Sequence, residues 1–169
     1  MKTATLKNRK TRFESSPVIE SASPGAVKLN DILVPTDFSE ASKKAVDYAT
    51  KFAAQFGGRI TLLHVVEPVF YPDFAYTPLL VENDKLVAAA EKELTLLAAK
   101  NGIPDEVLHK ILVRTGSPFQ EITDAARTLK VDLIIIATHG RSGLTRALLG
   151  STAERVVRHA TCPVLVLRA

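Results

Sequence analysis

Cysteine is almost missing from this chain, with Cys162 the single one in 169 residues. A lone thiol closes no intramolecular disulfide, which points to a reducing compartment, the cytoplasm. Set between a helix end and an apolar strand, it reads as a small buried hydrophobe rather than a reactive thiol. No run of 18 apolar residues occurs, so no membrane-spanning helix is expected. The first residues lack the apolar core of a secretory signal. No Gly-Lys-Ser/Thr phosphate loop is present, and His139 has no Cys, His or Asp partner at metal-ligand spacing.

A basic domain is also lacking, despite a net charge of +4. Residues 1–30 hold six basic and two acidic side chains, which leaves 16 of each among the 22 basic and 18 acidic residues of the whole. The excess charge sits entirely in the N-terminal segment, so the rest carries no electrostatic footprint for DNA or RNA. Residues 1–28 show no sustained periodicity and contain Ser15-Ser16-Pro17 and Ser23-Pro24-Gly25, which reads as a flexible basic arm. The apolar fraction of 46% and charged fraction of 24% then describe one soluble globular domain over 29–169.

Within that domain short apolar runs alternate with helical spacing. Ile32–Val34 reads as a buried strand ended by Pro35. Ala41, Ala45, Tyr48, Ala49, Phe52, Ala53 and Phe56 form a helical stripe closed by Gly57-Gly58. Ile60–Val66 is a second strand. Glu67–Pro78, with its prolines and the aromatics Phe70, Tyr71, Phe74 and Tyr76, is an excursion. Leu79–Lys100 is the longest helix, with Leu86, Ala90, Leu94 and Leu97 on one face. Val107–Val113 is a third strand, and Ser117-Pro118 caps and starts a helix to Leu129. Leu133–Ala137, Ser151–Ala160 and Val164–Leu167 complete five strands and four helices. Apolar strands alternating with helices predict an α/β fold, a parallel sheet with helices on both faces. Ligands of such sheets bind beyond the carboxyl ends of the strands, where strand order reverses.

The stretch from Ile134 to Val156 stands out. Its apolar run breaks into a loop holding Gly140 and Gly143 and reaches Gly150-Ser151-Thr152 at the head of a helix. Glycines let backbone amides approach an oxyanion, and a helix start offers unpaired N–H donors. Gly140, nine residues, Gly150 and Ser151 resemble the nucleotide-binding signature of the universal stress protein family, with Ala137 in place of that signature's first glycine. Val34-Pro35-Thr36-Asp37-Phe38-Ser39 and Ala160-Thr161-Cys162-Pro163-Val164-Leu165-Val166 resemble the same family. The resemblance implies a five-stranded parallel sheet of order 3-2-1-4-5, adenine-nucleotide α-hydrolase-like. It implies an ATP site formed by Pro35, Thr36, Asp37, Val65, Ala137, Gly140, Arg141, Gly150, Ser151 and Thr152. Asp37 would help hold Mg²⁺, and Val164, Leu165, Val166 and Leu167 would pair two copies into a homodimer. The protein would act as a nucleotide-responsive regulator of the stress response rather than as an enzyme.

Each residue also has a plainer reading. Asp37 is equally a helix cap, with Glu40 completing a box. Val65 is a core residue from its position alone. Arg141 is a solvated loop arginine, and His64, His109 and His159 are structural or surface histidines. Two functional rivals stay open at this point. One is a slow ATPase using Asp37, His139 or Arg141, and the other a dimeric interaction protein that binds no nucleotide.

Overall fold

A computed structural model of the chain describes residues 29–68, 78–138 and 149–168. The basic arm, the aromatics between Phe70 and Tyr76, and His139, Gly140, Arg141 and Gly143 lie outside the described residues. Among the described residues nine elements follow one another as β1 (Asp31–Pro35), α1 (Glu40–Phe56), β2 (Arg59–Val66), α2 (Pro78–Lys100), β3 (Leu108–Thr115), α3 (Pro118–Leu129), β4 (Leu133–Ala137), α4 (Ser151–His159) and β5 (Val164–Leu167). The strands form one sheet of order β3-β2-β1-β4-β5, parallel at every pairing. The expected order is the observed one.

The side-chain alternation of strands divides the core into two layers. Ile32, Val34, Ile60, Leu62, Leu133 and Ile135 face one way and pack under Val46, Ala49 and Ala53 of α1 and Leu94, Leu97 and Ala98 of α2. Leu33, Leu63, Ile134 and Ile136 face the other way, under Ile122, Ala125 and Ala126 of α3 and Ala153 and Val156 of α4. Both faces of β1 and β4 are covered, which is why these strands read as unbroken apolar runs.

The expected stripe of α1 is rotated in the structure. Ser42, Ala45, Val46, Ala49 and Ala53 are its buried residues, whereas Tyr48 and Phe56 are 44% and 53% exposed. These two pack instead on Phe52, Tyr48 stacked and Phe56 tilted, with ring centroids 6.1 and 4.5 Å apart. Space decides this: against the sheet, small residues let the helix approach closely, and the rings are left at its flank. Leu86 departs likewise, being 46% exposed, while Ala90, Leu94 and Leu97 are buried as expected.

Gly57 ends α1 in the left-handed region (φ 69°), its N–H returning to the helix. Gly58 then passes so close to the strand entry that a Cβ there would overlap the Leu29 carbonyl oxygen. That approach seats Arg59 N on Asn30 O at 2.8 Å and so sets the register Asp31↔Arg59.

Candidate functional site

β1 pairs with β4 only at Ile32↔Leu133 and Leu33↔Ile134. Beyond that point each strand follows its outer neighbour. β1 stays with β2 to Pro35↔Leu63, and β4 stays with β5 to Ala137↔Leu167. The tips of the two central strands therefore part, and a cleft of about 820 Å³ opens between them. Its size lies within the range of roughly 300–1,000 Å³ usual for small-molecule sites.

Pro35, Thr36, Asp37, Val65, Ala137, Gly150, Ser151 and Thr152 all line this one cleft. They come from four separate places in the chain, and the topology brings them together. Gly140 and Arg141, the remaining two expected site residues, lie outside the described residues.

The floor on the β1 side is a tightly bonded turn. Thr36 and Ser42 are polar yet only 5% and 4% exposed, so their hydroxyls must find partners inside. Each hydroxyl has a single proton, which orders the network. Ser39 Oγ donates to Asp37 Oδ1 at 2.6 Å. Ser42 Oγ donates to the Ser39 carbonyl at 3.0 Å, which leaves Thr36 Oγ1 to donate to Ser42 Oγ at 2.9 Å. Thr36 Oγ1 in turn accepts the Phe38 N–H at 3.1 Å, and Asp37 Oδ1 also accepts Ser39 N–H at 3.1 Å. These bonds hold Phe38 at φ 65°, a conformation that costs a bulky L-residue about 1–2 kcal/mol.

The helix cap is Ser39, whose hydroxyl accepts from Ser42 N, not Asp37 as the plainer reading had it. Asp37 stands two residues earlier and braces the cap through its carboxylate. Glu40 does not reach back to complete a box. It accepts Lys43 Nζ at 2.8 Å, and that lysine holds its carboxyl below the ordinary range. His64, read as an ordinary strand histidine, has a specific place. Its Nδ1 donates to the Thr36 carbonyl at 2.8 Å, the only role open to a nitrogen facing a carbonyl. Its ring packs on Phe38 with centroids 4.4 Å apart.

The other wall is the head of α4. Gly150 N donates to Thr138 O at 2.7 Å, which ties the helix start to the tip of β4. Gly150 is the N-cap, and no side chain caps this helix. Ser151 and Thr152 thus sit inside the first turn with hydroxyls not spent on capping, and the positive end of the helix points to the cleft. Ser117 also occupies a cap position without a side-chain cap bond; Pro118 alone starts α3 as expected, its missing N–H costing nothing there.

The sequence pattern of the universal stress protein family matches residues 28–168. The chain belongs to the universal stress protein family. It is 36% identical over 141 residues to a universal stress protein of Methanocaldococcus jannaschii, which covers 81% of each chain. Among solved structures it resembles the universal stress protein UspA from Lactobacillus plantarum, with a TM-score of 0.71, 29% identity, and coverage of 83% of this chain and 99% of that one. A universal stress protein solved in complex with cAMP shares the fold at 23% identity, with a TM-score of 0.61 and coverage of 83% and 97%.

In this universal stress protein the sequence reading missed several lining residues, among them Phe119 and Arg155. The guanidinium carbon of Arg155 lies 3.4 Å from the centre of the Phe119 ring. A signal existed: Arg155 is four residues after Ser151 and three after Thr152, the spacing that puts helix residues on one face. Phe119 carried no comparable signal, because its proximity to α4 is set only by the packing of α3.

Among the described residues no group of three or more His, Cys, Asp or Glu side chains is placed to hold a metal ion. No helix there is long and apolar enough to cross a membrane.

Proposed function

We propose that the cleft binds an adenine nucleotide, ATP foremost, and that the protein works as a nucleotide-responsive regulator in the stress response. One observation carries this reading: the tips of β1 and β4 and the uncapped, Ser151-Thr152-headed start of α4 share one cleft. Backbone amides and hydroxyls at such a helix start suit phosphate oxygens. Pro35, Thr36 and Val65, with Ala137 in the wall, would flank the nucleoside, and Gly140 and Arg141 would complete the phosphate side. That a family member binds cAMP favours a nucleotide over other anions.

Mg²⁺ fits this reading in one way only. Magnesium is commonly held by one or two carboxylates together with substrate phosphates. Asp37 is the carboxylate for that role, its Oδ1 already fixed by Ser39. The ion would neutralise phosphate charge rather than form a site of its own. We assign no catalytic residue. ATP would act by linkage, stabilising the conformation that other proteins read, in the cytoplasm.

The active species in this proposal is a homodimer. Val164, Leu165, Val166 and Leu167 of β5 are each only half-buried. Among the described residues β5 pairs with β4 alone, so an apolar strand is left at the edge of the sheet, a site for pairing with a second copy.

The test is to denature protein purified without added nucleotide and to identify the small molecules released. An adenine nucleotide at near-stoichiometric yield is the expected result. A protein that releases none and binds none on titration with millimolar ATP would be the interaction protein without a nucleotide.

A further inference from the structure

We infer that Arg155, seated over the face of Phe119, reads the phosphate tail of the nucleotide and sets the preference for more highly charged ligands; this rests on the cleft being a nucleotide site. Among the described residues that line the cleft, Arg155 is the only lysine or arginine, whereas Asp37, Glu67 and Glu93 line it as well. Glu67 and Glu93 repel a polyphosphate and Asp37 meets it only through Mg²⁺, so the charged tail belongs on the side where Arg155 stands, beside Ser151 and Thr152.

The pairing pattern of the arginines points the same way. Of the six described arginines four, Arg59, Arg114, Arg127 and Arg158, each hold a carboxylate, and Arg155 and Arg168 do not. Arg155 holds none among the described residues, although Glu154 is its chain neighbour; that carboxylate bonds Arg158 at 2.8 Å. What Arg155 has instead is the face of Phe119, and the same ring lies 6.1 Å from His159 one turn on. An aromatic face fixes the plane of a guanidinium while leaving its N–H fork free to bond an anion. Helix side chains lean toward the N-terminus, so this cation is carried toward the positive end of α4. A bare helix start disfavours that placement. A phosphate tail between the two makes it favourable.

The alternative is that Arg155 only clamps α4 to α3. The two roles separate in a titration of ATP, ADP and adenosine into the wild type, Arg155→Met, Arg155→Lys and Phe119→Leu, with the melting temperature of each. Removing a charged hydrogen-bond donor from an ionic ligand weakens binding by about ten- to a hundredfold. The expected result for Arg155→Met is such a loss for ATP, a smaller one for ADP, and adenosine affinity within about twofold of wild type. Arg155→Lys should recover part of the loss, because it restores the charge without the planar fork. Phe119→Leu should weaken ATP only severalfold. Equal losses for ATP and adenosine, or a lowered melting temperature with an unchanged ATP-to-adenosine ratio, would overturn the inference and leave the cleft assignment standing. A wild type that binds neither ATP nor adenosine would overturn both.

Discussion

Replacing Thr36 by valine removes one oxygen and keeps the shape of the side chain. The structure says what that oxygen does. It accepts the Phe38 N–H at 3.1 Å and bonds Ser42 Oγ at 2.9 Å, all at a site with almost no access to water. Ser42 keeps its bond to the Ser39 carbonyl, so its loss is small. The Phe38 amide is stranded, and a buried unsatisfied donor costs about 1–3 kcal/mol. The hydroxyl bond to Ser42 adds about 1 kcal/mol. Phe38 also loses one of the contacts that keep it at φ 65°. A total of about 2–4 kcal/mol is expected, and at roughly 2–4 °C per kcal/mol for a chain of this size the melting temperature should fall by about 4–16 °C. Thermal unfolding followed by circular dichroism measures it, with Thr36→Ser as the variant that keeps the hydroxyl and should lose much less. A Thr36→Val melting temperature equal to that of Thr36→Ser would refute the reasoning, since the hydroxyl would then hold nothing that matters.

Two adjacent glycines separate conformation from space. Gly57→Ala meets no neighbouring atom and should cost only the left-handed penalty of about 1–2 kcal/mol, whereas Gly58→Ala collides with the Leu29 carbonyl and should cost more, toward about 3 kcal/mol; denaturant midpoints rank them, and the reverse order would be wrong for this fold. Burial pushes the Cys162 thiol above its ordinary value, with the nearby Asp132 adding to it. The folded state thus favours the neutral thiol, so stability present below the unfolded pKa is lost as pH rises toward the folded one, and alkylation at pH 8 should be slower than for a free cysteine; equal rates would contradict the burial. Leu165→Lys places a charge on the half-buried edge strand β5 and should convert a dimer on gel filtration into a monomer, while a wild type that elutes as a monomer at low micromolar concentration would remove the proposed interface.

How far the sequence could be read depended on which physical effect wrote each feature. The strands were legible because β1 and β4 are buried on both faces, and burial on both faces leaves no polar residue to blur the run. Helix ends were legible where backbone geometry demands one residue type, as at Gly57 (φ 69°) and Pro118. The face of α1 was not, because Tyr48 and Phe56 are apolar enough to be read as core, while Ser42 is buried only by virtue of partners in a turn six residues away. The cap of α1 was displaced for a related reason. Asp37 and Ser39 both suit an N-cap, and only the bond between them shows which braces which. The cleft followed from topology once strand order was known, whereas the seat of Arg155 on Phe119 depends on how α3 and α4 pack and is written in no local pattern.

Whether the cleft holds ATP is decided by titrating ATP with Mg²⁺ calorimetrically into the purified protein and into Gly150→Asp. Gly150 begins α4 at the cleft wall, and a carboxylate there would meet the phosphates head-on. Saturable binding of one ATP per chain is expected for the wild type and none for the variant, at unchanged fold by circular dichroism. Equal heats for both proteins, or none for either, would contradict the cleft assignment.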